Sequence, residues 1–270
     1  MRPLRSIPPE TYDRIDNRVY DAAGESWWRP DSSFHQLKVS FNPVRVGYAR
    51  RKLFDELHLN PSGKQALEVG CGGGLMCEEL AGLGFDVTGI DPSAPSLEAA
   101  IRHARASGCE IRYERAAGES LPYREQSFDV VFCFDVLEHV RDLPQVIREI
   151  ARVLKPGGVF CYDTINRTWL SYLVAIKIGQ DWGRWAFMPP NLHVWEMFIK
   201  PREMKSLLRE NGLEWKEHRG IKPGVAVPTA LRYLRRRARG EWSYAELGQN
   251  VRLVESRIRT VMYLGCAVKQ

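Results

Sequence analysis

The chain has 270 residues, 44% hydrophobic and 27% charged, with 39 Lys and Arg against 33 Asp and Glu for a net charge of +6. These proportions are those of a folded globular protein and exclude disordered and low-complexity classes, and the length suits one decorated α/β domain better than two domains. No run reaches the roughly 18 apolar residues of a membrane span, and the N-terminal MRPLRSIPPETYD lacks the apolar core of a secretory leader, so a soluble cytoplasmic protein is expected.

From residue 64 to 164 the signals alternate. An apolar run at 66–70 precedes a helical pattern at 75–83, and a run at 85–90 precedes a helical pattern at 96–106. Short strands are predicted at 110–114 and 128–134, then a helix at 142–154 and a strand at 158–163. Asp142 suits the cap of that helix, and Lys155-Pro156-Gly157-Gly158 a tight turn after it. A further helix, 201–210, opens with Pro201 and is followed by Asn211-Gly212. Strands alternating with helices imply a Rossmann-like, doubly wound α/β fold whose mostly parallel sheet is covered on both faces. Two stretches break the rhythm: 165–200, rich in Trp and Tyr, and 221–258, which holds Arg232, Arg235, Arg236, Arg237 and Arg239. The six cysteines form no CxxC pair and read as reduced, mostly buried thiols.

The segment Leu67-Glu68-Val69-Gly70-Cys71-Gly72-Gly73-Gly74 lies between a predicted strand and helix, and Gly70, Gly72 and Gly74 make a GxGxG loop on which a ligand can lie against bare backbone. Asp91 ends the next strand, where a carboxylate accepts hydrogen bonds from ribose hydroxyls. Dinucleotide sites prefer GxGxxG, and Glu68 beside the loop would repel a pyrophosphate but favour a cationic nucleoside, which points to S-adenosylmethionine.

Five ordered motifs (LEVGCGGG, VTGIDPS, Gly118-Glu119-Ser120-Leu121-Pro122, FDVVFCFDVLEHV and LKPGG) resemble those of class I S-adenosylmethionine-dependent methyltransferases. A finer resemblance, to the ubiquinone-biosynthesis O-methyltransferases, rests on Trp27-Trp28, Asn42-Pro43-Val44-Arg45-Val46-Gly47-Tyr48, the GCGGG loop and Thr164-Ile165-Asn166-Arg167. It implies a seven-stranded sheet, with 1–60 as a helical cap contributing to the cofactor site and 61–270 as the methyltransferase domain. It also implies that Arg45, Gly70, Asp91 and Phe134 contact the cofactor, with Arg45 reaching the methionine carboxylate, a partner its planar fork suits; Glu119 would lie near the adenine. The chain departs from the family in having Phe134 where Met is usual and Asp135 where Glu is usual.

Asp135, Glu138 and His139 follow the fourth strand at offsets of three and four, which places them on one side of a turn. Three readings are open: a divalent metal site, a general base without metal, or a structural cluster. The resemblance associates this segment with magnesium or a similar ion that would lower a catechol-like acceptor's pKa. The expected activity is therefore O-methylation of a phenol or catechol hydroxyl, as in a prenylated quinone precursor. The alternatives are O- or C-methylation of another small aromatic, or methylation of RNA. Trp169, Tyr172, Trp182, Trp185, Phe187, Trp195 and Phe198, interleaved with Lys177, Arg184 and Lys200, suit either a lid or a segment resting on an anionic membrane. His193, in the same stretch, reads as an alternative base or a satisfied loop histidine. The arginine cluster lacks any accompanying RNA-binding motif, and no nucleic-acid partner is expected.

Overall fold

The computed structural model describes residues 7–270; residues 1–6, part of the expected helical cap and of the stretch read for a leader, lie outside the described residues. Helices α1 (Pro9–Tyr12), α2 (Arg18–Ala23) and α3 (Asn42–Arg50) precede the sheet. Strand β1 (Gln65–Val69) leads into α4 (Leu75–Gly82), β2 (Asp86–Asp91) into α5 (Ala94–Ser107), and β3 (Ile111–Arg115) is followed by β4 (Phe128–Cys133), α6 (Leu143–Val153) and β5 (Leu154–Ile165). Then come α7 (Trp169–Ser171), α8 (Pro201–Glu210), β6 (Leu213–Pro223), α9 (Val227–Ala238), α10 (Tyr244–Val251), β7 (Leu253–Ser256) and β8 (Met262–Lys269).

The strands form one sheet in the order β3-β2-β1-β4-β5-β8-β6-β7, with β1 to β5 parallel and β8 antiparallel to both β5 and β6. The fold is thus the expected doubly wound one, but with eight strands in place of seven. The extra strand is β7, a four-residue edge strand antiparallel to β6, inside the stretch read as an insertion.

Strand interiors are apolar on both faces because helices cover both. In β4, Val130 and Phe132 enter the core with Tyr48, Leu53 and Leu80, whereas Val131 and Cys133 enter the opposite core with Ile147 and Ile150 of α6 and Leu207 of α8. Local capping agrees with the reading of the sequence: Asp142 accepts the Gln145 N–H at 3.0 Å, and Gly108 ends α5 with φ +69°. The Lys155–Gly158 segment is not a free turn. Strand β5 begins at Leu154 opposite Phe128 and resumes at Val159 opposite Val130, so these four residues bulge out of the ladder. All six cysteines are free thiols and five are buried.

On the far side of the sheet from the helical cap, His218 of β6 is buried, its Nε2 2.6 Å from the Tyr162 hydroxyl and its ring edge-on to Tyr263. Burial, helped by Arg259 and Lys205, pushes its pKa down to about 3. Because the folded value lies below the unfolded one, protonation favours unfolding, and this contribution to stability is lost as pH falls below about 6.5. The difference in urea unfolding free energy between the native chain and His218→Gln should therefore shrink by up to about 1.4 kcal/mol per pH unit between pH 6 and 4. A difference that stays flat with pH would refute the assignment.

Candidate cofactor and acceptor site

Strand order reverses between β1 and β4, and the crevice beyond their C-terminal ends is where open α/β sheets bind ligands. A cavity of about 440 Å³ opens there, lined by Gly70, Gly72, Asp91, Glu119, Phe134 and His139 from the sheet side and by Tyr20, Trp27 and Arg45 from the N-terminal segment.

The glycine loop turns sharply after β1. Gly70 has φ +74°, and a Cβ there would lie 2.3 Å from Val136 Cγ2, so only glycine fits. Trp27 covers the loop: a Cβ on Gly72 would lie 2.7 Å from its ring and one on Gly73 2.3 Å. Trp27 Nε1 donates to Ser96 Oγ at 3.0 Å, and Trp28 Nε1 donates to the Gly73 carbonyl at 2.9 Å. The tryptophan pair thus clamps the loop from the N-terminal side. Asp91 accepts the Gly72 N–H at 2.9 Å on Oδ2 and the Ser93 N–H at 2.8 Å on Oδ1, which fixes the carboxylate on the cavity wall with lone pairs to spare for two hydroxyls.

Arg45 projects from α3 and is 3% exposed. Its Nε donates to Asp163 Oδ2 at 2.7 Å, a terminal nitrogen pairs closely with Asp135 Oδ2, and its guanidinium lies between the rings of Phe41 and Phe134. Burial works against its charge, but Asp135 and Asp163 outweigh it and raise the pKa. Glu68 sits deeper, with Oε2 unpartnered, and burial pushes its carboxyl up to about 8. It lines the cavity beside the glycine loop. Glu119 lines the opposite end, and its Oε1 accepts the Arg141 N–H at 3.0 Å.

The acid–histidine segment divides. Asp135 has φ +54°, which turns its side chain towards Arg45, and its own N–H donates to Asp163 Oδ1 at 2.8 Å. Glu138 and His139 are buried and come together instead with His193, one donor atom of each within 4.8 Å of the others. Burial, reinforced by Asp135 and Asp163, pushes Glu138 up to about 8; burial also pushes His139 down to about 4 and lowers His193. Both imidazoles are neutral at physiological pH. His139 Nε2 faces the Tyr20 hydroxyl at 3.4 Å, and Glu138 does not reach the cavity wall. Tyr20, Asp163 and the clamping role of Trp27-Trp28 were not read from the sequence. An aspartate inside the apolar run Cys161-Tyr162-Asp163-Thr164 is the signal that could have found Asp163.

Fold and site together define a methyltransferase that uses S-adenosylmethionine. Residues 67–162 match the family model described as a methyltransferase domain. Curated relatives include a ubiquinone biosynthesis O-methyltransferase of Rhizobium etli, 34% identical over 217 residues that cover 78% of this chain and 86% of the relative. Another so named, from Maricaulis maris, is 35% identical, covering 80% and 84%. The chain belongs to the ubiquinone biosynthesis O-methyltransferase family. Among solved structures, magnesium protoporphyrin IX methyltransferase from Synechocystis, with bound SAH, superposes with a TM-score of 0.61 at 18% identity over 97% of this chain and 99% of that one. An S-adenosylmethionine-dependent methyltransferase of Thermotoga maritima gives 0.59 at 17%, covering 96% and 100%. At that identity the likeness is one of fold.

Because both Asp91 oxygens are oriented by backbone N–H groups, Asp91→Ala removes the brace of the glycine loop and the carboxylate expected to take the ribose hydroxyls together. Its affinity for S-adenosylmethionine should fall at least about a hundredfold by calorimetry, whereas unchanged binding would place the nucleoside elsewhere.

Proposed function

We propose that this enzyme methylates a phenolic hydroxyl of a prenylated quinone precursor. The observation that carries the reading is the His139–Tyr20 wall: a neutral imidazole beside a phenol, at the end of β4, facing the cavity whose other walls are Asp91 and the glycine loop. The names of the 34–35% identical relatives support the acceptor class.

S-adenosylmethionine supplies the methyl group, and its sulfonium is already a good leaving group, so the protein's task is to position the acceptor and ease loss of its proton. Asp91 would hold the ribose, and Arg45, oriented by Asp163, would offer its guanidinium to the methionine carboxylate. Trp27 and Phe134 would keep water from the transferring methyl, while Tyr20, its hydroxyl against His139 Nε2, would orient the acceptor's O–H. Glu138 and His139 are the residues that would hold a divalent ion, whose charge would lower the phenol's pKa.

A membrane-resident acceptor also accounts for the surface. No helix among the described residues is long and apolar enough to cross a membrane. Yet Trp169 is 76% and Trp182 57% exposed, with Leu170 and Leu173 also exposed. Arg237 of α9 donates to the Ala186 carbonyl at 2.9 Å, tying the arginine-rich helix to this stretch. Apolar side chains beside cations are what an anionic bilayer surface takes up. Vesicles containing phosphatidylglycerol should co-sediment the chain in low salt, and Trp169→Ser with Leu173→Ser should weaken this several-fold; recovery of both proteins in the supernatant would remove the membrane from the reading.

The deciding assay is methylation of a short-chain prenylated catechol, following both S-adenosylhomocysteine and product. Product is expected, and Glu138→Ala should lower kcat at least tenfold while sparing cofactor binding. Cofactor binding without product on this acceptor, with turnover of an untailed catechol, would move the enzyme to another small aromatic.

A further inference from the structure

Glu138, His139 and His193 share a pattern: in each, one polar atom is fixed by the protein while another is left over. Glu138 Oε2 accepts the Thr164 hydroxyl at 2.8 Å, and Oε1 is buried without a partner. His139 Nε2 lies against the Tyr20 hydroxyl, and Nδ1 is buried without a partner. His193 is clamped by Gln180, whose Oε1 takes its backbone N–H at 2.6 Å and faces its Nδ1 at 3.1 Å, and whose amide donates back to its carbonyl at 3.2 Å. A carbonyl oxygen accepts only, so Nδ1 of His193 carries the proton and Nε2 is left as the acceptor. Outer partners that fix the tautomer and orientation of imidazole and carboxylate are what built metal sites have. Arg45 is paired with Asp135 and Asp163 and leaves Glu138 without a cationic partner, its Oε1 buried and unpartnered.

We propose that Glu138, His139 and His193 bind a borderline divalent transition ion, of the zinc, cobalt or manganese class, in preference to magnesium. Two imidazoles and one carboxylate suit such ions, whereas magnesium takes oxygen ligands. Asp135 is not a ligand. Donors around such an ion stand about 3.4 Å apart at ligand distances of about 2.1 Å, so the three side chains close by ~1 Å when it binds. The site lies between two spaces: His139 lines the cofactor cavity, and His193 lines a second cavity of about 470 Å³ bounded by Tyr172, Lys177 and Trp195 of the aromatic stretch. An ion there would meet an acceptor oxygen arriving from the second cavity and facing the methyl donor in the first. That use rests on the acceptor reading above; the existence of the site does not.

The test titrates EDTA-treated, dialysed protein with Co²⁺, following the visible spectrum and metal content. One Co²⁺ per chain is expected, displaced by Zn²⁺ but not by a large excess of Mg²⁺. His193→Gln should weaken Co²⁺ at least about a hundredfold and Gln180→Ala about tenfold. Retained S-adenosylmethionine binding by His193→Gln would show that the variant is folded. The proposal is overturned by competition from Mg²⁺, by Co²⁺ binding in His193→Gln as tight as in the native chain, or by no Co²⁺ uptake at all. In that last case, methyl transfer that persists in EDTA leaves the acceptor reading intact; tight Co²⁺ with no product on any catechol leaves the site intact and removes the acceptor.

Discussion

A guanidinium taken out of water costs several kcal/mol unless opposite charge and hydrogen bonds replace the solvent, and Arg45 meets that condition with partners drawn from three separate parts of the chain. Asp163 lies inside β5, Asp135 just beyond β4, and the guanidinium carbon lies over the rings of Phe41 and Phe134. The ion pair therefore fastens α3 to the strand ends. It also holds Asp135 in a left-handed backbone conformation that costs a non-glycine residue on the order of 1–3 kcal/mol. Removing either carboxylate would leave a buried charge half-neutralised, so the position of α3, and with it one wall of the cavity, depends on this contact.

The remaining cap follows from α3. Trp27 and Trp28 fill the space above Gly72 and Gly73 that a side chain on the loop would need, and Ser96 holds the indole in place. A loop made permissive by glycine is held in one shape by residues that precede the sheet. The 67–162 match to the methyltransferase domain contains the glycine loop and Asp91 but neither the tryptophans nor Arg45, so the parts that clamp the loop and carry the buried guanidinium lie outside the matched segment.

Local signals made most of the fold legible in the sequence. Strands buried on both faces are unbroken apolar runs, helices carry caps such as Asp142, and the glycine loop and Asp91 sit at fixed places along the chain. Long-range pairings were not legible. The offsets 135, 138 and 139 suggested one face of a turn, but that inference assumes right-handed helical backbone, and the positive φ of Asp135 sends its carboxylate to Arg45 instead. His193 reaches Glu138 and His139 from over fifty residues away, and Gln180, which orients it, carried no signal of its own. Strand β7 was missed because four edge residues, Leu253-Val254-Glu255-Ser256, show no usable period.

The low pKa of His139 constrains how the acceptor can lose its proton. On the proposed reading, a phenolic acceptor of pKa about 10 that hands its proton to an imidazole of pKa about 4 does so uphill by several kcal/mol. Full proton transfer before methyl transfer would consume much of the barrier reduction expected of an enzyme. A buried neutral histidine is therefore a poor sole base here, while the same neutrality suits a ligand, because an unprotonated ring nitrogen is what a cation needs. Glu138 leads to the same conclusion from the opposite charge. Its carboxyl is held near a pKa of 8 by burial and by two neighbouring acids, and a dication would supply both the charge that ionises it and the field that acidifies the phenol. Burial that weakens each group as an isolated acid or base is thus consistent with the three acting through one shared positive charge.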